Sequence, residues 1–191
     1  MDLIQYPRML WSSHAGWDKL ANADLAPSQL IYRLVLPMAL LPPLMIIYAS
    51  THIGPAYFPT VSAPVWWLVA LQFLALQLLV VPLMAWAIQS LATSHGGSGT
   101  YRDAFKVAAV APVPLWLSSL ILLQNEIWLV IGVPLLALGA SAALIMRGVE
   151  GLLKVGDDLD AANLAITVIA LGVLVWFILV GFTLMPFMIA R

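Results

Sequence analysis

Cysteine is missing from this 191-residue chain, and charge is scarce. Without cysteine there is no disulfide, no thiolate nucleophile and no Cys-ligated metal. Only 9% of the residues are charged, against about 25% in soluble domains. A water-soluble fold of this size could not cover its surface with so few charges. A net charge of −1 leaves no basic field for nucleic acid. Three histidines, His14, His52 and His95, are scattered and form no HxxxH-type pair. No Ser-His-Asp, H-E-x-x-H or G-x-S-x-G arrangement is present. Neither a metal, nor a cofactor, nor an enzymatic activity is therefore expected.

What the chain does have is long apolar runs, with 63% hydrophobic residues and a mean hydropathy of +1.00. A membrane span needs about 20 apolar residues. Five runs meet or approach this: Leu34–Ile53, Val65–Ala92, Val107–Leu123, Ile127–Met146 and Leu164–Ala190. The third and fourth are separated only by Gln124-Asn125-Glu126, and together are too long for one crossing, so a tight hairpin is expected. The predicted fold is all-α: residues 34–191 form a polytopic bundle of five transmembrane helices. Residues 1–33 precede it as an interfacial amphipathic segment, in which Leu3, Ile4, Met9, Leu10, Trp11, Trp17 and Leu20 are mixed with Arg8, Asp18 and Lys19. No cleavable signal peptide is expected, because Met1-Asp2 opens no charged and then apolar stretch.

Arg8, Lys19, Arg33, Arg102, Lys106, Arg147 and Lys154 all fall on one side of these five spans, and only Arg191 falls on the other. Lys- and Arg-rich loops stay cytoplasmic. The expectation is an inner-membrane protein with its N-terminus in the cytoplasm and its C-terminus in the periplasm or outside the cell. Trp66, Trp67 and Trp128 then mark the outer interface as an aromatic belt.

The span interiors carry no central charge, which argues against a proton-coupled pump and against intramembrane metal catalysis. Gln72 and Gln77 lie about 140° apart on a helix and Gln89 on another face, so they form no polar stripe. With Ser118, Ser119 and Thr167 they read as interhelical hydrogen-bonding groups. Every span contains proline, including Pro43, Pro82, Pro112, Pro114, Pro134 and Pro186. Each removes a backbone donor, and the freed carbonyl needs another partner. Two readings stay open: the prolines break helices around a substrate site, or they are the ordinary proline of membrane helices. Small residues recur at Ala104, Ala108, Ala111 and Ser118 in the third span. In the fourth, Gly132, Gly139 and Ala143 share a face. Both stretches, with Pro112 and Pro114, are candidate helix-packing positions, or a surface for a homo-oligomer.

On the cytoplasmic side, Arg147, Glu150 and Lys154 have the spacing of an ion-pair ladder on a continuing helix. Asp157, Asp158 and Asp160 suit the first turn of the fifth helix, with cation binding as the alternative. The stretch His95–Lys106 reads as a flexible glycine loop whose Arg102 and Lys106 contact lipid headgroups.

Three stretches resemble the Yip domain family, five-span membrane proteins named for their interaction with Ypt/Rab GTPases. Ile4-Gln5-Tyr6-Pro7-Arg8-Met9-Leu10-Trp11 is similar to its N-terminal Pro-x-x-x-Trp segment. Gly96-Gly97-Ser98-Gly99-Thr100-Tyr101-Arg102-Asp103-Ala104-Phe105, then Ala111-Pro112-x-Pro114-Leu115, resemble its glycine loop and proline-bearing third span. Leu138-Gly139 and Gly151-Leu152-Leu153-Lys154-Val155 resemble its fourth span and basic exit. The likeness is to the prokaryotic branch: the long polar N-terminal region and the Asp-Leu-Tyr-Gly-Pro signature that accompany Rab binding in eukaryotes are not present. The resemblance implies a fold and a topology more than an activity.

The functional expectation is a non-enzymatic scaffold, trafficking-like or lipid-interacting factor with a cytoplasmic working face. Arg102, Lys106, Arg147 and Lys154 would contact membrane lipids or a protein partner. The alternative is a small oligomeric transporter or channel with a proline-kinked pathway.

Overall fold

In the computed structural model the described residues are Trp17, Leu20, 25–124 and 126–189. Among them every regular element is helical, and five helices are long and apolar enough to cross a membrane. They are Pro27–His52, Ala63–Ser94, Tyr101–Leu123, Trp128–Leu152 and Asp158–Ile189, called the first to fifth spans below.

At one end of the bundle these bounds agree with the apolar runs. At the other end, where the basic residues lie, the helices run further than hydropathy indicates. The first starts at Pro27 rather than Leu34, the third at Tyr101 rather than Val107, and the fifth at Asp158 rather than Leu164; the fourth continues to Leu152 rather than Met146. Local polar chemistry sets these ends. Thr100 and Asp103 form a reciprocal capping box: the Asp103 N–H donates to the Thr100 hydroxyl (3.4 Å) and the Thr100 N–H to the Asp103 carboxylate (3.1 Å). The Asp157 carboxylate accepts from the Leu159 N–H (3.3 Å). Asp157 thus has the capping role expected of the acidic cluster, and no group of residues suited to hold a metal occurs among the described residues.

The third span is the hub. It packs against the first, second and fourth, while the fifth packs against the second and fourth. Over its most apolar stretch 56% of the third span is buried, against 17% of the fifth. Its small residues explain this: Ala104, Ala108, Ala111 and Ser118 are all buried, so neighbouring backbones come close. Ala111-Pro112 interrupts the helix between Tyr101–Val110 and Val113–Ser118, and the span ends in the tighter turn Ser119–Leu123.

Packing is densest at the basic end, where Leu34, Ile88, Phe105, Val107, Val149, Leu153 and Leu164 form one core. Trp17 and Leu20 belong to it. Trp17 lies on the fourth span at Gly148, where a Cβ would come within 2.9 Å of its ring. These two residues of the N-terminal segment are therefore inserted into the core rather than lying on a surface. The other residues named for the amphipathic segment lie outside the described residues. The opposite end is closed by rings: Phe58 stacks on Phe187 (5.1 Å), which also meets Trp66 (4.6 Å). Trp67 and Trp128 are exposed there, whereas Trp66, also expected in the aromatic belt, is buried in this ring cluster.

Two interhelical hydrogen bonds answer the proline problem. Pro43 has no N–H to give the Ala39 carbonyl, and the Gln77 side-chain amide donates to that carbonyl from the second span. Pro186 likewise deprives the Phe182 carbonyl, and the Gln72 amide donates to it (3.2 Å). Two of the sequence's isolated glutamines thus replace donors that two prolines removed. Ser118, Ser119 and Thr167, expected to bond between helices, instead bond carbonyls of their own segments at Leu115, Trp116 and Asn163.

Candidate functional site

The basic end is assembled by a glycine-dependent joint. The second span closes on Gly96, whose φ of 72° is a left-handed conformation that glycine adopts without strain. The Gly97 N–H then donates to the Ala92 carbonyl (2.8 Å) and the Gly96 N–H to Thr93 (3.2 Å), the paired pattern of a Schellman cap. From there the chain crosses to the end of the fourth span. The Gly99 N–H donates to the Leu153 carbonyl (3.2 Å), and a Cβ on Gly99 would lie 2.9 Å from the Leu153 Cα. A Cβ on Gly97 would lie 3.0 Å from the Leu153 oxygen. The segment expected to be a flexible loop is docked, because only hydrogen side chains let these two backbones meet.

This joint brings the segment carrying Arg102 and Lys106 against the segment carrying Lys154, but the four basic residues are not equivalent. Arg102 and Lys154 are exposed, and Arg147 is half-buried. Lys106 is only 4% exposed and its ammonium pairs with Asp103 (3.4 Å), the residue that completes the capping box. An exposed lipid contact at Lys106 is not what the fold provides: its charge is held in the structure of the third span's first turns.

The expected ladder of Arg147, Glu150 and Lys154 does not form. The fourth helix ends at Leu152, so Lys154 is off the helix, and among the described residues no ion pair joins the three. Lys154 has a φ of 48°, the left-handed conformation that a helix end usually gives to glycine. For an L residue this costs about 1–2 kcal/mol, yet lysine stands there with its side chain exposed.

The small face of the fourth span is turned outward. Gly139 and Ala143 are exposed, and nothing lies within 4 Å of where a Cβ on Gly132 or Gly139 would stand. The close approach within the chain uses Gly148 instead, a position the pattern of small residues did not single out. Pro114 is buried between helices, and Pro112 is half-buried and lines a space between the spans.

A family model described as Yip1 domain matches residues 1–190, the family that the motifs resemble. No curated protein and no solved structure matches the chain.

Proposed function

This chain belongs to the Yip1 domain family and is a multi-pass membrane protein, and on that premise we propose that it is a non-enzymatic scaffold or lipid-interacting factor whose working face is its basic end. One observation carries the reading: the Gly97–Gly99 joint docks the segment leading to Arg102 on the segment leading to Lys154, and both of these side chains are exposed. Each Lys or Arg near an anionic membrane surface is worth about 1 kcal/mol. The exposed Lys154 at a backbone position suited to glycine favours the same reading, since a purely structural turn gains nothing from lysine there.

The basic end is the cytoplasmic one in this reading, with the C-terminus outside and the inner membrane as the location. The cysteine-free sequence permits a direct test. Single cysteines at Ser98 and at Ala56 should be labelled by an impermeant maleimide from opposite sides of sealed vesicles. For the function, the chain is reconstituted in nanodiscs containing a minority of anionic lipid, and the lipids retained by the protein are counted by native mass spectrometry. Arg102→Ala with Lys154→Ala should deplete the anionic fraction. Equal retention by wild type and double variant would refute the working face.

A second reading, a small oligomeric transporter or channel, is favoured by the space beside Pro112 and Pro134. Flux of ions, small metabolites or lipids in proteoliposomes would support it, and no flux would remove it.

A further inference from the structure

The third and fifth spans do not pack closely on each other, and between them, flanked by the second and fourth, lies a cavity of about 410 Å³. Its wall includes no charged residue. Its polar side chains are committed or covered. Gln77 donates to the Ala39 carbonyl, Ser118 to Leu115 and Ser119 to Trp116, while the Gln77 Oε1 and the Ser141 hydroxyl have almost no exposed surface. No side chain in the wall is set to orient a polar ligand. The space is long and narrow. Phe73 and Ile88 bound it on the second span, and Val130 and Ile145 on the fourth; at 1.5 Å per residue each pair spans about 22 Å. Spread over about 20 Å of helix, the volume has a mean cross-section of about 20 Å². One end is closed: Ile88, Ala108, Ile145 and Val168 are all buried and form a floor. At the other end Phe73, Leu122, Val130 and Val180 are only half-buried. The exposed Trp128, two residues before Val130, marks the level of the membrane interface there.

Packed interiors hold few voids larger than a water molecule, and an apolar cavity stays dry and takes apolar ligands. We infer that this cavity is a site for one acyl chain of a bilayer lipid, threaded from the Trp128 end with its tip at the floor. The dimensions commit the occupant. Carbon–carbon bonds of about 1.5 Å meeting near 111° advance about 1.25 Å per carbon, so about 16 carbons reach the floor. Neighbouring hydrocarbon groups in contact are about 4 Å apart, so a bore of about 20 Å² admits one chain and not two. The headgroup stays at the interface, because no counter-charge stands in the wall and burying an unpaired charge is costly. Small residues keep the deep part open: Ala108, Ala111, Ala142 and Gly172 line it, and a Cβ on Gly172 would meet only Ile145, at 3.9 Å. The closed floor makes the cavity a measure of chain length. Its mouth is at the opposite end from Arg102 and Lys154, so the site does not rest on the proposed working face and is tested separately.

The test uses the full chain in nanodiscs doped with phosphatidylcholine probes that carry a photoactivatable diazirine. In two probes the chain has about 16 carbons, with the diazirine at its tip or near the headgroup. In the third the chain has about 10 carbons, with the diazirine at its tip. Crosslinked residues are mapped by tandem mass spectrometry. The long probe's tip should mark Ala108, Ile145 and Val168, which are buried and out of reach of the surrounding bilayer. The diazirine near the headgroup should mark Val130 and Val180 instead. The short probe should mark the floor at least about tenfold less, since it forfeits the burial of its missing CH₂ groups. Leu174 and Phe177, exposed on the outside of the fifth span, report general contact with lipid. Gly172→Phe places a ring one turn from Val168 and should cut floor labelling at least about tenfold, with labelling of Leu174 and Phe177 unchanged. If that variant does not fold, the depth profile of the wild type decides by itself. No floor labelling, as a solute-filled space gives, would overturn the inference. So would equal floor labelling by the long and short probes, or a folded Gly172→Phe variant labelled like wild type.

Discussion

The pairing of Gln77 with the carbonyl that Pro43 leaves free can be tested by a thermodynamic cycle. Gln77→Leu removes the donor and leaves the Ala39 carbonyl with no partner in a buried place. Hydrogen bonds between membrane helices average about 0.6 kcal/mol and reach about 1.7, because the unfolded state in lipid also finds partners. A carbonyl stranded in a folded core is more costly, about 1–3 kcal/mol. Gln77 is nearly fully buried and its bond is interhelical, so a loss of about 1–2 kcal/mol is expected. The loss is moderated because the substitution also removes the unpartnered Oε1. Pro43→Ala restores an N–H four residues after Ala39, which can close the helical bond without Gln77. In that background Gln77→Leu should be close to neutral, giving a coupling of about 1 kcal/mol between two residues that need not touch. Reversible unfolding in mixed micelles, followed by the fluorescence of the eight tryptophans, measures all four corners. Additive effects, with a coupling below about 0.3 kcal/mol, would refute the idea that the glutamine answers the proline.

Other outcomes follow from particular contacts. Gly148→Ala should destabilise by about 1–3 kcal/mol because its Cβ would press on Trp17 and Val107, whereas Gly139→Ala, with open space around it, should be neutral or stabilising by up to about 1 kcal/mol; thermal denaturation in detergent compares them. Thr100→Ala removes the capping hydroxyl and should lower stability by about 1 kcal/mol, while Thr100→Ser keeps it, as the same melts would show. Lys154→Gly relieves a left-handed lysine and should raise stability by about 1 kcal/mol while weakening retention of anionic lipid; a variant that is less stable, or that holds anionic lipid as well as wild type, would separate that residue from the proposed surface.

The places where structure departs from expectation have a common cause. Hydropathy marks where a helix is apolar, and capping marks where it begins. At the basic end these differ, because Thr100–Asp103 and Asp157 start helices among polar residues that an apolar run excludes. Small residues at helical spacing indicate a face but not its direction: the face of the third span turned inward, and that of Gly132, Gly139 and Ala143 turned outward. Lys106 looked like a surface charge by its position in a loop, yet one helical turn carried it next to Asp103 and out of reach of solvent.

Composition alone determined the class of this protein, since 9% charge cannot cover a soluble fold and five apolar runs must be crossed by helices. Motif order determined the family, and the absence of charge from the middle of the apolar runs determined that its charge is collected mainly at one end. Tertiary structure decided which distant residues answer each other: Gln77 with Pro43, Gln72 with Pro186, and Gly99 with Leu153. The reason is geometric. A proline's missing donor and a glutamine's spare amide are both visible in a sequence, but only the packing of helices sets the one within hydrogen-bonding distance of the other.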